Sequence, residues 1–220
     1  VVPGEGRTKK FKETGFDFGY AIGNVVYQPW KQLTIAVGNN SHFIGSGHRS
    51  LLLSDNSYSA PYFRIDWKVH EKFQVRVLRS KLLNLLRRPQ STSAESYYEA
   101  KGYSVNYLTW TPNDNLNISL FEGVIWNRGD SVTYHSAHPL FYNPVPGIAG
   151  LLGADDVNSM VGLNASMQLK DVHRLYGQVA VPNWAFDRTG IQLGYRGYNF
   201  FGLNDFMIQG EFNYIPDEMY

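Results

Sequence analysis

Cysteine is absent from the 220-residue chain, so neither a disulfide framework nor a thiolate metal site is available to it. Charge is sparse as well: Asp, Glu, Lys and Arg make up 18% of the residues and the formal net charge is +1. A nucleic-acid interface needs a clustered basic surface, so a nucleic-acid partner is not expected. No run of about 18 apolar residues occurs, which excludes a transmembrane helix. No signal peptide opens the chain, and Val1-Val2-Pro3-Gly4 reads as an internal or processed start.

Catalytic patterns are missing too. No serine stands in a nucleophile elbow. Gly45-Ser46-Gly47 lacks the third glycine and the following helix of a phosphate loop, so a tight turn near Arg49 is the better reading. His135 and His138 have a metal-compatible spacing without a third ligand. Nothing in the sequence sets Asp155-Asp156 or Glu95 and Glu99 at a glycosidase separation, and Arg128-Gly129-Asp130 is most simply a turn. Neither an enzyme nor a cofactor nor a metal site is expected.

What the chain does have is alternation. Apolar residues make up 43% and aromatics 15%, with Tyr the commonest aromatic. From Tyr62 to His70, Phe63, Ile65, Trp67 and Val69 alternate with Arg64, Asp66 and Lys68. Past Glu71-Lys72, Phe73, Val75 and Val77 repeat the pattern against Gln74 and Arg76. A period of two sends each set to its own face of a strand.

The same pattern predicts strands over Phe16–Tyr27, closed near Pro29, and from Leu33 to Gly38. Others follow from Tyr103 to Thr111, where Tyr103, Val105 and Tyr107 oppose Ser104 and Asn106, and from Leu116 to Trp126. The alternation slips at Glu122-Gly123, which predicts a bulge. Val161 to Leu169, Leu175 to Val181, Ile191 to Arg196 and Ile208 to Tyr214 complete the set. Leu82, Leu83, Leu85 and Leu86, stopped by Arg87-Arg88-Pro89, predict one short helix.

About ten strands of eight to eleven residues result, the length a tilted membrane strand needs. Tight connections near 29, 70, 113 and 170 face long ones at 39–61, 81–101 and 127–158. Tyr27, Trp30, Tyr62, Trp67, Trp110, Trp126 and Tyr198 lie near strand ends, where interfacial girdles sit. A soluble β-sandwich also alternates, but loop asymmetry, strand length and aromatic placement together favour an antiparallel transmembrane β-barrel. Arg or Lys facing lipid at mid-depth costs about 2–4 kcal/mol. Arg64, Asp66, Lys68, Arg76, Arg174, Gln178, Arg196 and Glu211 are therefore expected to face the lumen.

The run Gly45-Ser46-Gly47-His48-Arg49-Ser50-Leu51-Leu52-Leu53-Ser54-Asp55-Asn56, continuing through Pro61-Tyr62-Phe63-Arg64-Ile65, resembles the Wzi-type capsule-assembly family. These are outer-membrane β-barrels of Gram-negative bacteria, some of them labelled gliding-motility proteins. Leu120–Arg128, Val161-Gly162-Leu163, Leu175–Gln178, Ile191–Gly194 and Gln209–Asn213 resemble the same family in the same order. The pattern departs at His138–Asn143, which lacks an arginine, and at Pro182-Asn183-Trp184, which lacks an acidic pair.

The resemblance implies one β-barrel domain over residues 1–220, a segment of a longer barrel in the bacterial outer membrane. It also implies a non-catalytic role in capsule or exopolysaccharide assembly or attachment. Outer-membrane lipid, surface polysaccharide and other envelope proteins are then the expected partners. A solute-conducting or secretion barrel and a soluble carbohydrate-binding sandwich stand as alternatives.

The loops 39–61 and 127–158 are expected to fold over or into the lumen and to carry glycan contacts, with Asn40, His48, Arg49, Asp55, Tyr142 and Trp184 as the candidates. Arg49 and Asp55 are expected to pair with each other. Tyr97, Tyr98 and Phe186 are further stacking candidates.

Overall fold

The computed structural model describes residues 8–13, 15–18, 21–87, 98–128, 136–152, 157–170, 172–217 and 219. Two short strands, β1 (Thr8–Phe11) and β2 (Gly15–Phe18), form a hairpin of their own. The other ten make one antiparallel sheet: β3 (Gly23–Trp30), β4 (Leu33–Asn40), β5 (Ala60–His70), β6 (Phe73–Arg87), β7 (Tyr98–Asn113), β8 (Leu116–Asn127), β9 (Val157–Leu169), β10 (His173–Pro182), β11 (Gly190–Gly197) and β12 (Ile208–Tyr214). Each strand pairs with its sequence neighbours, so the sheet is an uninterrupted meander. It is open. Its edges are β3 and β12, and among the described residues these are not paired with each other.

Two-residue turns at Lys31-Gln32, Glu71-Lys72 and Asp114-Asn115 lie at one end of the sheet. At the last, the Asn115 amide donates to Asn113 Oδ1 over 3.0 Å, a side chain closing its own turn. The opposite end carries the connections 41–59 and 128–156. The second holds a 3-10 turn (Pro139–Tyr142) and the five-residue helix α1 (Ile148–Leu152).

Several expectations change. Leu82 to Leu86 are strand, not helix: β6 runs to Arg87 because Leu82 and Leu83 find partners in Lys101 and Ala100 of β7. Pairing partners outweigh a local leucine pattern. The expected first strand is two, since β2 pairs only with β1 and β3 begins at Gly23. No bulge occurs at Gly123: the β7–β8 register is continuous from Lys101↔Asn127 to Trp110↔Ile118. The glycine makes room instead, because a Cβ there would stand 2.8 Å from Leu52 Cδ1.

The sheet is strongly curled, and chain length shows why. The His48 amide donates to Glu211 Oε2 of β12 over 2.6 Å, only eight residues after β4 ends at Asn40. Eight extended residues reach about 28 Å at most, whereas the eight strand spacings from β4 to β12 laid flat cover about 38 Å. The 41–59 loop therefore spans the concave side as a chord.

Directly opposed residues share a face, so the register sorts the two sides. Arg64, Asp66, Lys68, Arg76, Arg174, Gln178, Arg196 and Glu211 all lie on the concave face. Exposed Val25, Val37, Phe63, Trp67, Leu163, Leu193 and Phe212 lie on the convex face. β7 runs against the expected apolar-out pattern. Its Tyr103, Val105 and Tyr107 point to the concave side, and its Ser104 and Asn106 to the convex side.

Two cores sit on the concave face. One joins Ala36, Ile44, Tyr62, Leu78, Tyr103 and Val105; the other joins Leu51, Phe121, Ala180 and Met219. Loop residues Ile44 and Leu51, each 2% exposed, complete these cores. A third, around Val124, Trp126, Ala149 and Val157, lies on the convex face.

A Cβ at Gly162 would collide with the Val179 carbonyl oxygen and the Phe121 ring, whereas one at Gly210 meets nothing within 4 Å. Gly162→Ala is expected to lower stability by about 1–3 kcal/mol. Gly210→Ala is expected to stay within about 0.5 kcal/mol of wild type. Equilibrium denaturation of the two variants checks the pair.

Candidate functional site

The concave face is built from polar residues in a row. Asn164 of β9, Gln178 of β10 and Gln192 of β11 stand directly opposite one another, and Glu211 follows on β12. Each side chain holds part of the 41–59 loop. Asn164 Nδ2 donates to Ser46 Oγ (2.9 Å), Gln178 Oε1 accepts from the Leu51 amide (2.6 Å), and Gln192 Nε2 donates to the Arg49 carbonyl (2.9 Å).

On β12, Asn213 faces Gln192, and Glu211 stands one same-face position further along, opposite Gly194. Its carboxylate accepts from the consecutive amides of His48 and Arg49 (2.6 and 3.1 Å), from the Tyr176 hydroxyl (2.9 Å) and from Asn213 Nδ2 (2.9 Å). Gly47 permits the approach, since a Cβ there would lie 2.6 Å from Glu211 Oε2. Within the loop, Ser50 Oγ donates to the Ile44 carbonyl (2.5 Å) and accepts from the Leu52 amide (3.1 Å). An Ile44–Leu53 bridge closes the loop on itself.

Beside the loop's root lies a cleft of about 270 Å³ lined by Asn24, Asn40, Ser41, His42, Tyr62, Arg64, Arg76 and Leu78, among others. Arg76 donates to Asp66, and Arg64 Nε stands 2.9 Å from the other Asp66 oxygen. That second contact is off-axis and ionic, since Arg64 Nε has no hydrogen-bond acceptor. Two guanidiniums thus share one carboxylate, leaving the cleft wall with a net positive charge.

His42 packs edge-on against Tyr62, ring centroids 4.1 Å apart, with its Nε2 buried and unpartnered. Burial first, then Arg64 and Arg76, push its pKa down to about 4. Arg174 and Arg196 stand opposite each other further along the same face, where they bond Ser166 and Gln209.

The six candidate ligand contacts are not brought to one place. Asn40 lines the cleft. His48 and Arg49 are exposed at the far end of the loop, where their backbone bonds Glu211 and Gln192. Asp55 is exposed, and among the described residues no ion pair joins it to Arg49. Distance decides that: the loop carries Arg49 out to β12, while Asp55 lies past the Leu53 bridge on the return leg. Tyr142 and Trp184 are on the opposite side of the sheet. Trp184 is packed under Gly147 and Gly150, so its ring is no free platform, while Tyr142 is 73% exposed.

The 127–158 loop was expected over the lumen. Its described part, 136–152, folds onto the convex face instead. Arg79 donates from Nε to the Phe141 carbonyl (2.6 Å) and from Nη2 to the Asn143 carbonyl and Asn106 Oδ1 (both 2.9 Å). Glu122 Oε1 accepts from the Ala149 amide (2.8 Å). Sequence reading passed over Arg79 and Glu122. The available signal was parity, because both share the strand face of Phe73, Val75, Leu116 and Ile118.

Of the aromatics placed near strand ends, Tyr27, Trp30, Trp67, Trp110 and Tyr198 are exposed, whereas Tyr62 and Trp126 are buried. His135, Asp155-Asp156, Glu95, Tyr97, Gly129 and Asp130, and the side chains of Tyr98 and Glu99, lie outside the described residues. No protein-family model, curated protein or solved structure matches the chain.

Glu211→Ala removes the acceptor of two loop amides and is expected to speed hydrogen exchange at His48 and Arg49 at least about tenfold, the weight of one charged hydrogen bond. Glu211→Gln is expected to fall between that variant and wild type. His42 supplies a pH-dependent check. Its folded pKa lies below the ordinary 6.5, so folding favours the neutral ring. That contribution is full above pH 6.5, declines as pH falls, and is gone below about 4. The stability difference between wild type and His42→Gln is expected to shrink across that window, read by denaturation at stepped pH.

Proposed function

We propose that the chain forms part of the wall of an outer-membrane β-barrel, with its convex face in lipid and its concave face toward a lumen plugged by the 41–59 loop. The observation that carries this reading is the difference between the faces. Exposed Val25, Tyr27, Val37, Phe63, Trp67, Leu163, Leu193 and Phe212 share the convex side. An exposed apolar surface of this extent needs a partner that is not water. Every charged strand residue first assigned to the lumen lies on the other face, sparing the roughly 2–4 kcal/mol that a lipid-facing Arg costs at mid-depth. The exposed Tyr27, Trp30, Trp67 and Trp110 gather at the tight-turn end, as an interfacial girdle does.

Within this barrel the function is non-catalytic binding of an acidic saccharide. Arg64, Lys68, Arg76, Arg174 and Arg196 share the concave face with Asp66 and Glu211, and Glu211 is already saturated by loop amides. The cleft offers two guanidiniums, a neutral imidazole, Asn24, Asn40 and the Tyr62 hydroxyl, a mixture suited to a carboxylated sugar. Capsule or exopolysaccharide attachment is the role that fits this chemistry and the resemblance at Gly45–Asn56. The loop's passage from β4 to β12 speaks against a solute-conducting pore.

Arg64→Gln and Arg76→Gln are each expected to weaken binding of an acidic polysaccharide about tenfold, a loss of roughly 1.4 kcal/mol, without changing retention of a neutral one. In planar bilayers the intact protein is expected to be silent, and a variant lacking residues 43–56 to conduct. Steady conductance by the intact protein, or undiminished acidic-glycan binding after removal of both arginines, would refute the respective half of the proposal.

A further inference from the structure

The register lines up Val25, Val37 and Phe63 with Arg79, Ser104 and Ser159 in one row across the convex face. At one end of this row the side chains are apolar and bare, at 68%, 43% and 40% exposure. At the other Arg79, Ser104 and Ser159 are buried, at 7%, 1% and 7%, with Val124 buried between the two serines. Residues 136–152 make that difference. The Phe141 and Asn143 carbonyls occupy Arg79, the Ala149 amide occupies Glu122, and Ala149 itself packs against Val124, Trp126 and Val157.

What this segment turns outward is apolar again. Tyr142, Leu151 and Leu152 are 73%, 71% and 66% exposed. No Asp, Glu, Lys or Arg occurs between Ser136 and Leu152. A surface loop that merely met water would have no reason to avoid all four.

The height of the wall points the same way. On β9 the bare apolar positions run from Leu163 to Leu169, about 20 Å of strand, or about 16 Å of height at a tilt of roughly 40°. An outer-membrane barrel presents an apolar band about 25 Å tall. Adding the two rows under the segment, from Ser159, gives about 34 Å of strand and about 26 Å of height. On β4 and β5 the bare apolar surface already reaches that level through Val37 and Phe63.

We propose that residues 136–152 are a lipid-contacting patch seated on the outside of the wall, restoring an apolar exterior where β6 to β9 present polar residues. Arg79 and Glu122 are its anchors. They take the backbone groups of the segment, so neither charge meets the bilayer. The proposal rests on the membrane reading above, and its occupant is the acyl and headgroup boundary of the leaflet.

The absence of cysteine allows single labels without background. Bimane would be attached to Leu151→Cys, Tyr142→Cys, Leu193→Cys and Asp55→Cys in the intact protein, reconstituted in phosphatidylcholine with ordinary or brominated chains. Expected is strong quenching by brominated lipid at 151, 142 and 193, with less than about a tenth of that at 55. Quenching at 193 with none at 151 and 142 overturns the patch and leaves the membrane reading standing, as it would if a partner protein covered the segment. No quenching at 193, 151 or 142 overturns both. The second label on the segment guards against a disturbance at Leu151 alone.

Discussion

A carboxylate on the last strand of the sheet holds the amides of a loop that leaves its second strand. The Glu211 contact with His48 and Arg49 is what makes the curl and the filled concavity one feature. With His48 only eight residues past Asn40, the loop reaches β12 only if the sheet bends round to meet it. Having arrived, it completes two cores with Ile44 and Leu51, which the strands alone leave without covering residues. Asn164, Gln178 and Gln192 serve the same end along the way. All three are buried amides. Asn164 and Gln178 bond the loop, so taking it away would cost about 1–3 kcal/mol at each, whereas Gln192 also bonds Glu211 and Asn213 of β12.

The convex side solves the opposite problem. On the convex face Arg79, Asn106 and Glu122 share a side with apolar strand residues, and all three are buried. The segment 136–152 receives them with its own backbone, basic group to carbonyls and acidic group to amide. Each of the two long connections thus covers polar residues on one face. The loop on the concave side exposes polar and charged groups such as His48, Arg49 and Asp55, and the segment on the convex side exposes leucine and tyrosine. That contrast agrees with two different surroundings for the two faces. It also explains why one set of long loops failed to gather the glycan candidates into one site.

Much of this was legible from residue order. The strands over Leu33–Gly38, Tyr62–Ser80, Val161–Leu169 and Ile191–Arg196 follow from a period of two, and the tight turns follow from their polar residues. The misreadings have separate causes. Leu82 and Leu83 are held in a strand by pairing with β7, while the slip at Glu122-Gly123 lies where both faces of the sheet are covered, so that alternation there no longer separates core from water. Arg79 and Glu122 carried a usable signal, charges on an apolar parity, but the segment that answers them is tens of residues away along the chain.

By itself, then, the sequence determined the antiparallel meander, the parity of eight polar residues on one common face, and the absence of thiol chemistry. Those are local consequences of side-chain alternation and composition. Tertiary structure alone decided which loop lies on which face, that Arg49 and Asp55 part company, and that Arg64, Arg76 and His42 share a cleft. Such outcomes depend on the curl of the sheet, which brings residues more than a hundred positions apart within hydrogen-bonding distance and which no local pattern encodes.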